Sequence, residues 1–327
     1  MPQLRKRSII AAKEETTDGT LAAPAAGDYK FLVYDVAFRP EFTILERNPI
    51  GPSFARKLSK STLRLGRVTF STEVVGAGDG TPALGTEPAW AILLRACGFK
   101  PTASVGVNVI YDPTTNATYG ASNGNSSLTM YVDEDGIVRK LRGCRGTFRL
   151  MGDSGGIARF EWDFLGIFDS SADQAYSALA ADYDSQLPPL VESATFALQG
   201  TSLIISNFSI DIGNAVAARL DANSPGGFKT TFINDRKVTA TVDPEQELTT
   251  VFDAIGKMVT DAVGAFTITI GTASKNRLKI TAPAARVQVT AVDEGERDNI
   301  LTNNLTLDFN VPDIESATNK EIRFTLD

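Results

Sequence analysis

Short runs of Val, Phe, Thr and Tyr, cut by Gly, Asn and Asp, leave most of this chain little choice but β-sheet. From Tyr29 onward they read "YKFLVYDVAF", "STLRLGRVTFSTEVV", "SVGVNVIY", "SLTMYV", "GTFRLM" and "ARFEWDFLGIF". In the last run Phe160, Trp162 and Phe164 fall on one face and Glu161 and Asp163 on the other, as a strand with one buried and one wetter side requires. The segment "DEDG" at 133–136, between "LTMYV" and "IVRKLRG", predicts a hairpin turn.

Two short helices are expected against this background. Trp90, Leu93, Leu94 and Cys97 stand at i, i+3, i+4 and i+7, with Thr86 available as N-cap and Gly98 beyond the end. Leu248, Val251, Phe252 and Ile255 repeat that spacing 158 residues later, with Asp243-Pro244 before them and Gly256 after. Upstream, "RVTFSTE" (67–73) is similar to "KVTATVD" (237–243), and downstream "FEWDF" (160–164) echoes "LTLDF" (305–309), which sets Asp163 beside Asp308. Three matches in one order predict a tandem duplication. The expected divisions are an N-terminal arm (1–28), a first domain (29–170), a linker (171–189), a diverged second domain (190–310) and a C-terminal segment (311–327).

Composition excludes several functions. A chain of 327 residues with 43% hydrophobic and 22% charged residues is an ordinary globular protein, large enough for two domains. It has no histidine, which removes the commonest general base, the commonest neutral metal ligand and the usual activator of a nucleophilic serine. Cys97 and Cys144 fit no metal or redox spacing and are expected as buried free thiols. No secretory core or membrane-spanning run is visible, so synthesis in a cytoplasm is expected. Residues 1–170 carry 20 basic and 18 acidic side chains (+2) and residues 171–327 carry 12 and 21 (−9), for a total of −7 that disfavours general phosphate binding.

The remaining motifs have structural explanations. "GAGDGT" has the glycine density of a phosphate loop, but no Lys-Ser/Thr follows and the expected helix starts several residues later, so it reads as a connector. "DEDG" lacks the closing glutamate of a calcium loop, and Ser154 in "GDSGG" lacks any histidine partner. Glu161 and Asp163 are explained by strand alternation without acid–base chemistry. The densest basic cluster is Arg56, Lys57, Lys60, Arg64 and Arg67, which suits an acidic protein partner at least as well as nucleic acid.

The order of these segments resembles the tail tube proteins (major tail proteins) of long-tailed bacteriophages. The resemblance rests on the Ala- and Thr-rich arm, "ERNPIGPSFARKLSKSTLRLGRVTFSTEVVG", "PAWAILLRACGF" and "KLRGCRGTFRLMGDSGGIARFEWDFLGIF", and it is strongest in the first half. It implies two tandem tail-tube-like β-sandwich or barrel domains, each with one short helix packed on its sheet. It implies a structural, non-enzymatic virion protein without cofactor or metal, made in the host bacterial cytoplasm and residing in the virion tail. Such proteins assemble into stacked rings of six domains around a channel that passes double-stranded DNA, so three two-domain chains are favoured over six. The implied partners are further copies of the chain and the tape measure, terminator and distal tail proteins, with transient DNA passage and no membrane. By the same resemblance Glu46, Arg47, Arg56, Lys57, Lys60 and Arg64 form a loop that reaches the adjacent ring, as do the arm and the segment after Val311. Asp163 and Asp308 are the candidate lumen acids that would repel phosphates. A terminator or distal tail ring is the alternative within phage tails; a carbohydrate-binding β-sandwich and a carboxylate-pair hydrolase are the alternatives outside them.

Overall fold

A computed structural model describes residues 4, 6–25, 28, 32–76, 87–115, 118–120, 123–174, 183, 186–192, 194–311 and 320–327. The first half contains β1 (Ser8–Glu14), β2 (Tyr34–Arg47), β3 (Lys57–Glu73), α1 (Ala91–Ala96), β4 (Phe99–Ser104), β5 (Asn108–Pro113), β6 (Leu128–Glu134), β7 (Ile137–Asp153) and β8 (Arg159–Asp173). The second contains β9 (Thr195–Leu198), β10 (Thr201–Ser202), β11 (Asn207–Asp211), β12 (Asn214–Leu220), β13 (Phe228–Arg236), β14 (Thr239–Val242), α2 (Ala254–Val259), β15 (Val263–Ile270), β16 (Leu278–Arg297) and β17 (Ile300–Phe309), followed by β18 (Arg323–Leu326). The protein is mainly β, with antiparallel sheets, as its strand-rich texture predicts.

The two halves repeat one strand order. Pairing runs β1-β6-β7-β8-β3-β2 in the first and β9-β15-β16-β17-β14-β11 in the second. The registers correspond as well: Thr69 lies opposite Asp163 in β3/β8, and Thr239 lies opposite Asp308 in β14/β17. The halves are nevertheless not separate bodies. β11 pairs with β7 over Asn207–Asp211 and Arg149–Asp153, so the two strand sets form one sheet. A single cluster of buried residues runs through both.

Alternation explains which face is buried. Phe148, Phe160, Trp162 and Phe164 point inward from β7 and β8, and α1, β4, β5 and β18 cover them. Ring centroids lie 4.8 Å apart for Trp90–Phe160, 5.6 Å for Phe99–Phe148 and 5.7 Å for Phe148–Phe324. Buried aromatic rings at such separations add to the area they remove from water. Trp162 also satisfies its indole N–H on Thr72 Oγ1 at 2.9 Å.

Several expectations fail, each for a local reason. The arm expected to have little structure of its own is strand from Ser8: Ile9, Ile10, Ala11 and Ala12 are all buried, and a run buried on both faces shows no period in sequence. Beyond it Glu15 is buried and accepts from Gly19 N (2.8 Å), Ser127 Oγ (2.6 Å), Thr129 Oγ1 (2.9 Å) and Gly143 N (2.7 Å). The C-terminal residues fold back on their own chain, where β18 pairs with β16 on one side and β5 on the other. Most of the expected linker, the glycine-rich connector beyond Gly76 and Thr86 lie outside the described residues.

The second helix forms later than its sequence stripe suggests. Asp253 caps it by accepting from Gly256 N at 2.8 Å, so Gly256 lies inside α2 instead of ending it. Of the expected packing residues only Phe252 is buried; Leu248 (74% exposed), Val251 and Ile255 face solvent. Asp243, expected at the helix start, instead accepts from Ser206 N (2.9 Å), Asn207 N (2.8 Å) and Arg297 Nη1 (2.9 Å). Asp243 is thereby committed to the start of β11 and to Arg297, which leaves Asp253 to cap the helix. In the first half the stripe is real: Trp90, Leu93, Leu94 and Cys97 are buried, and Trp90 Nε1 donates to the Val75 carbonyl at 2.9 Å.

Candidate inner face and assembly edges

Around Asp163 and Asp308 the face of the sheet opposite the core is polar; further along β8 it is apolar at Leu165 and Ile167, which are buried, the latter beneath the turn between β12 and β13. In the first half Arg67, Arg149 and Arg159 alternate on it with Glu41, Glu73, Glu161 and Asp163. In the second half threonines dominate, Thr239, Thr241 and Thr306, with Asp211 and Asp308 among them.

Most cations and acids on this face are paired. Arg67 reaches Glu41 Oε1 at 2.9 Å and Asp163 Oδ2 at 2.7 Å. Partial burial weakens the Arg67 cation, but its hydrogen bond to Glu41 and the charge of Asp163 outweigh this and hold its pKa above the usual value. Lys237 stands 3.4 Å from Asp308, and Arg149 reaches Asp211 at 3.1 Å across the joint between the repeats. Arg159 lies 3.8 Å from Glu73 and over the Tyr34 ring. Glu73 also accepts from the Tyr34 hydroxyl at 2.7 Å, which together with burial raises the pKa of that phenol.

The lumen acids named from sequence are therefore held by cations and are not bare carboxylates. Glu161 is exposed and has no ion-pair partner among the described residues. Arg67, Arg149, Arg159 and Lys237 each meet an acid on this face, while Arg39, opposite Arg67, is exposed with no ion-pair partner among the described residues, so one free cation stands against the free Glu161. No group of three or more acidic or cysteine side chains among the described residues could hold a metal ion.

Two of the strand margins among the described residues border the polar face. β2 ends the strand path and pairs only with β3. β16 pairs with β15 up to Gln288 and with β17 on its other side, so its Ala291–Gly295 stretch has no described strand on the side away from β17. This is the stretch that corresponds to Arg149–Asp153 of β7, the segment that receives β11.

The two ends of the sheet differ in charge. Beyond Pro40 and Gly66, β2 and β3 continue as an exposed hairpin carrying Arg47, Arg56, Lys57, Lys60 and Arg64 against Glu41 and Glu46. Arg56 pairs with Glu46 at 3.0 Å, and the other cluster cations point into solvent. At the opposite end the β16–β17 turn exposes Asp293, Glu294, Glu296 and Asp298, while Arg297 is held by Asp243 and Glu245. The basic hairpin was legible in sequence as a charge cluster. Its acidic counterpart in "VDEGERD" drew no notice because acids are common on solvated turns.

Both cysteines are buried free thiols, and burial pushes the pKa of each well above its ordinary value. No helix among the described residues is long and apolar enough to cross a membrane.

Comparison with curated proteins finds no match. The family model described as phage tail tube protein matches residues 6–311, nearly the whole chain. A repeated antiparallel sheet whose polar face is bordered by unpaired strand margins is thus the form this sequence gives to a known structural family, and the chain belongs to the phage tail tube proteins.

Proposed function

We propose that three copies of this chain close into a ring, edge to edge, and that the rings stack into the hollow tube through which phage DNA leaves the virion. The observation that carries this reading is the internal joint, where β11 of the second repeat pairs with β7 of the first. Applied between chains, the same relation brings the Tyr34–Ala37 edge of β2 to Ala291–Gly295 of β16 in the next copy. Exposed edges recruit strands, and a closed ring leaves none unpaired.

Strand spacing favours three. Each chain contributes β2, β3, β8, β7, β11, β14, β17 and β16 to the inner sheet. At about 4.8 Å per strand, three chains make a cylinder about 37 Å across at the backbone before tilt widens it. That leaves room for a double helix inside the side chains. Two chains give about 24 Å, which side chains would close, and six give about 73 Å, far more than a duplex needs.

In this arrangement the polar face lines the bore. Its paired charges and threonines let phosphates pass without gripping them, and the unpaired Glu161 is set against the unpaired Arg39. The tip of the basic hairpin, with Glu46, Arg47, Arg56 and Lys57, meets the acidic β16–β17 turn of the adjacent ring. The tape measure would occupy the bore before DNA does, and terminator and distal tail proteins would meet the two ends. The chain acts as scaffold and conduit, without catalysis or cofactor.

Negative-stain microscopy of the purified chain, with native mass measurement of its smallest ring, tests this. Long hollow tubes and a ring mass of three chains are expected. Monomers at high concentration would overturn the reading, and isolated rings that never stack would favour a terminator or distal tail protein.

A further inference from the structure

The hairpin β12–β13 leaves the main sheet and lies on the first repeat, beside β7 and over the C-terminal end of α1. Arg145 is almost wholly buried beneath it and donates to the Thr231 carbonyl and to Thr230 Oγ1, the latter at 3.1 Å. Asn214 Nδ2 donates to the Cys97 carbonyl at 2.8 Å and the Gly146 carbonyl at 2.9 Å. Phe228, Thr230 and Thr231 are buried as a result.

The first repeat has an equivalent hairpin that covers nothing of this kind. Leu58–Glu73 aligns without a gap on Phe228–Asp243: Leu58 replaces Phe228, Ser61 replaces Thr231, Leu63 replaces Ile233, and Val68-Thr69 matches Val238-Thr239. Yet Leu58 is 88% exposed where Phe228 is 6% exposed, and Lys60, Ser61, Ile44 and Leu45 are exposed too.

The second repeat carries the corresponding site with no described hairpin over it. Gly146 lies opposite Phe164 as Val287 lies opposite Phe309, which puts Arg286 at the place of Arg145. A left-handed residue lies just upstream of each arginine, two positions before Arg145 (Gly143, φ 60°) and one before Arg286 (Ala285, φ 63°). Arg286 Nη1 is shut away from solvent with no hydrogen-bond partner. Around the end of α2, Ile255, Val259 (73% exposed) and Val263 lie open.

We propose that the hairpin of residues 41–64 in one copy lies over Arg286 and the end of α2 in the next copy, as β12–β13 lies over Arg145 and α1 within the chain. This rests on the edge-to-edge reading above. Arg286 donates to the Ser61 carbonyl, and Leu58 takes the covered position that Phe228 holds. Lys60 in place of Thr230 and Pro40 in place of Asn214 remove one hydroxyl acceptor and one carboxamide donor, so this joint relies more on apolar contact than the internal one. The tip, with Glu46, Arg47, Arg56 and Lys57, stays free for the adjacent ring.

The test is a chain carrying Ser61→Cys and Ala285→Cys, treated with a short bismaleimide linker before and after assembly; native Cys97 and Cys144 are buried. Covalent dimers and trimers that arise only in assembled material are the expected result. Well-formed rings or tubes without that ladder overturn the hairpin contact and leave the tube reading standing. Should the substitutions block assembly that the parent chain achieves, Leu58→Cys with Val263→Cys reads the same contact with the same two outcomes. A parent chain that forms no rings overturns both.

Discussion

Arg67 Nη1 lies 2.9 and 2.7 Å from the two carboxylate oxygens of Asp163, and the pair recurs in the second repeat as Lys237 and Asp308 at 3.4 Å. Position, register and sign of charge all repeat while the residue types drift. The two pairs differ in burial: Lys237 is far more exposed than Arg67.

A double-mutant cycle on Arg67→Ala and Asp163→Asn should therefore give a coupling of about 0.5–1 kcal/mol, and one on Lys237→Ala and Asp308→Asn about 0–0.5 kcal/mol. Urea unfolding of the four variants in each cycle measures both. Equal couplings would contradict the difference in exposure.

The two helices separate clearly by truncation. Leu94→Ala removes a fully buried side chain and should cost about 2–5 kcal/mol, whereas Leu248→Ala should stay within about 0.5 kcal/mol. Chemical denaturation of both variants decides whether the stripe at 248–255 packs.

Proline at Val292 and at Asp293 should fail in different ways. Adjacent N–H groups of an antiparallel strand point to opposite edges, so one proline breaks the β16–β17 ladder and lowers the melting temperature. The other leaves melting nearly unchanged and abolishes rings. Two variants that both assemble would remove β16 from the closing seam.

Stacking should depend on salt, because the screening length falls from about 10 Å at 0.1 M to about 3 Å at 1 M. Arg56→Glu with Lys57→Glu should leave rings and suppress tubes, and Glu294→Lys with Glu296→Lys should restore them. Electron microscopy across a salt series reads both effects.

Burial raises the pKa of both thiols, so the thiolate that reacts is scarce in the folded chain. A maleimide probe at pH 8 should label neither cysteine in native protein and both in denaturant, counted by mass. Labelling of native Cys97 would mean that α1 opens on the time scale of the assay.

Strand content was legible wherever one face met water, since alternation then marks the wet residues, as Glu161 and Asp163 do in β8. It was not legible in Ile9–Ala12, where both faces are covered. The stripe at Leu248–Ile255 misled because four apolar residues fix a phase but not a partner, and Asp253 alone decided where the turn begins. The joining of the repeats was invisible for a different reason. Pairing of Leu150 with Ile210 is a contact between distant segments, and nothing local in either strand names its neighbour. Arg145 and Arg286 were missed because a lone arginine has no signature until the backbone around it is placed. The short match between 67–73 and 237–243 could have led to them, for it extends upstream to Leu58 and Phe228.

The covalent tie across the β7–β11 joint changes the arithmetic of assembly. Because Leu150 and Ile210 belong to one polypeptide, their contact forms at a local concentration that dilution cannot lower. In the proposed ring, half the seams are then present before any two molecules collide, and nucleation would ask for fewer encounters than the same cylinder built from single repeats.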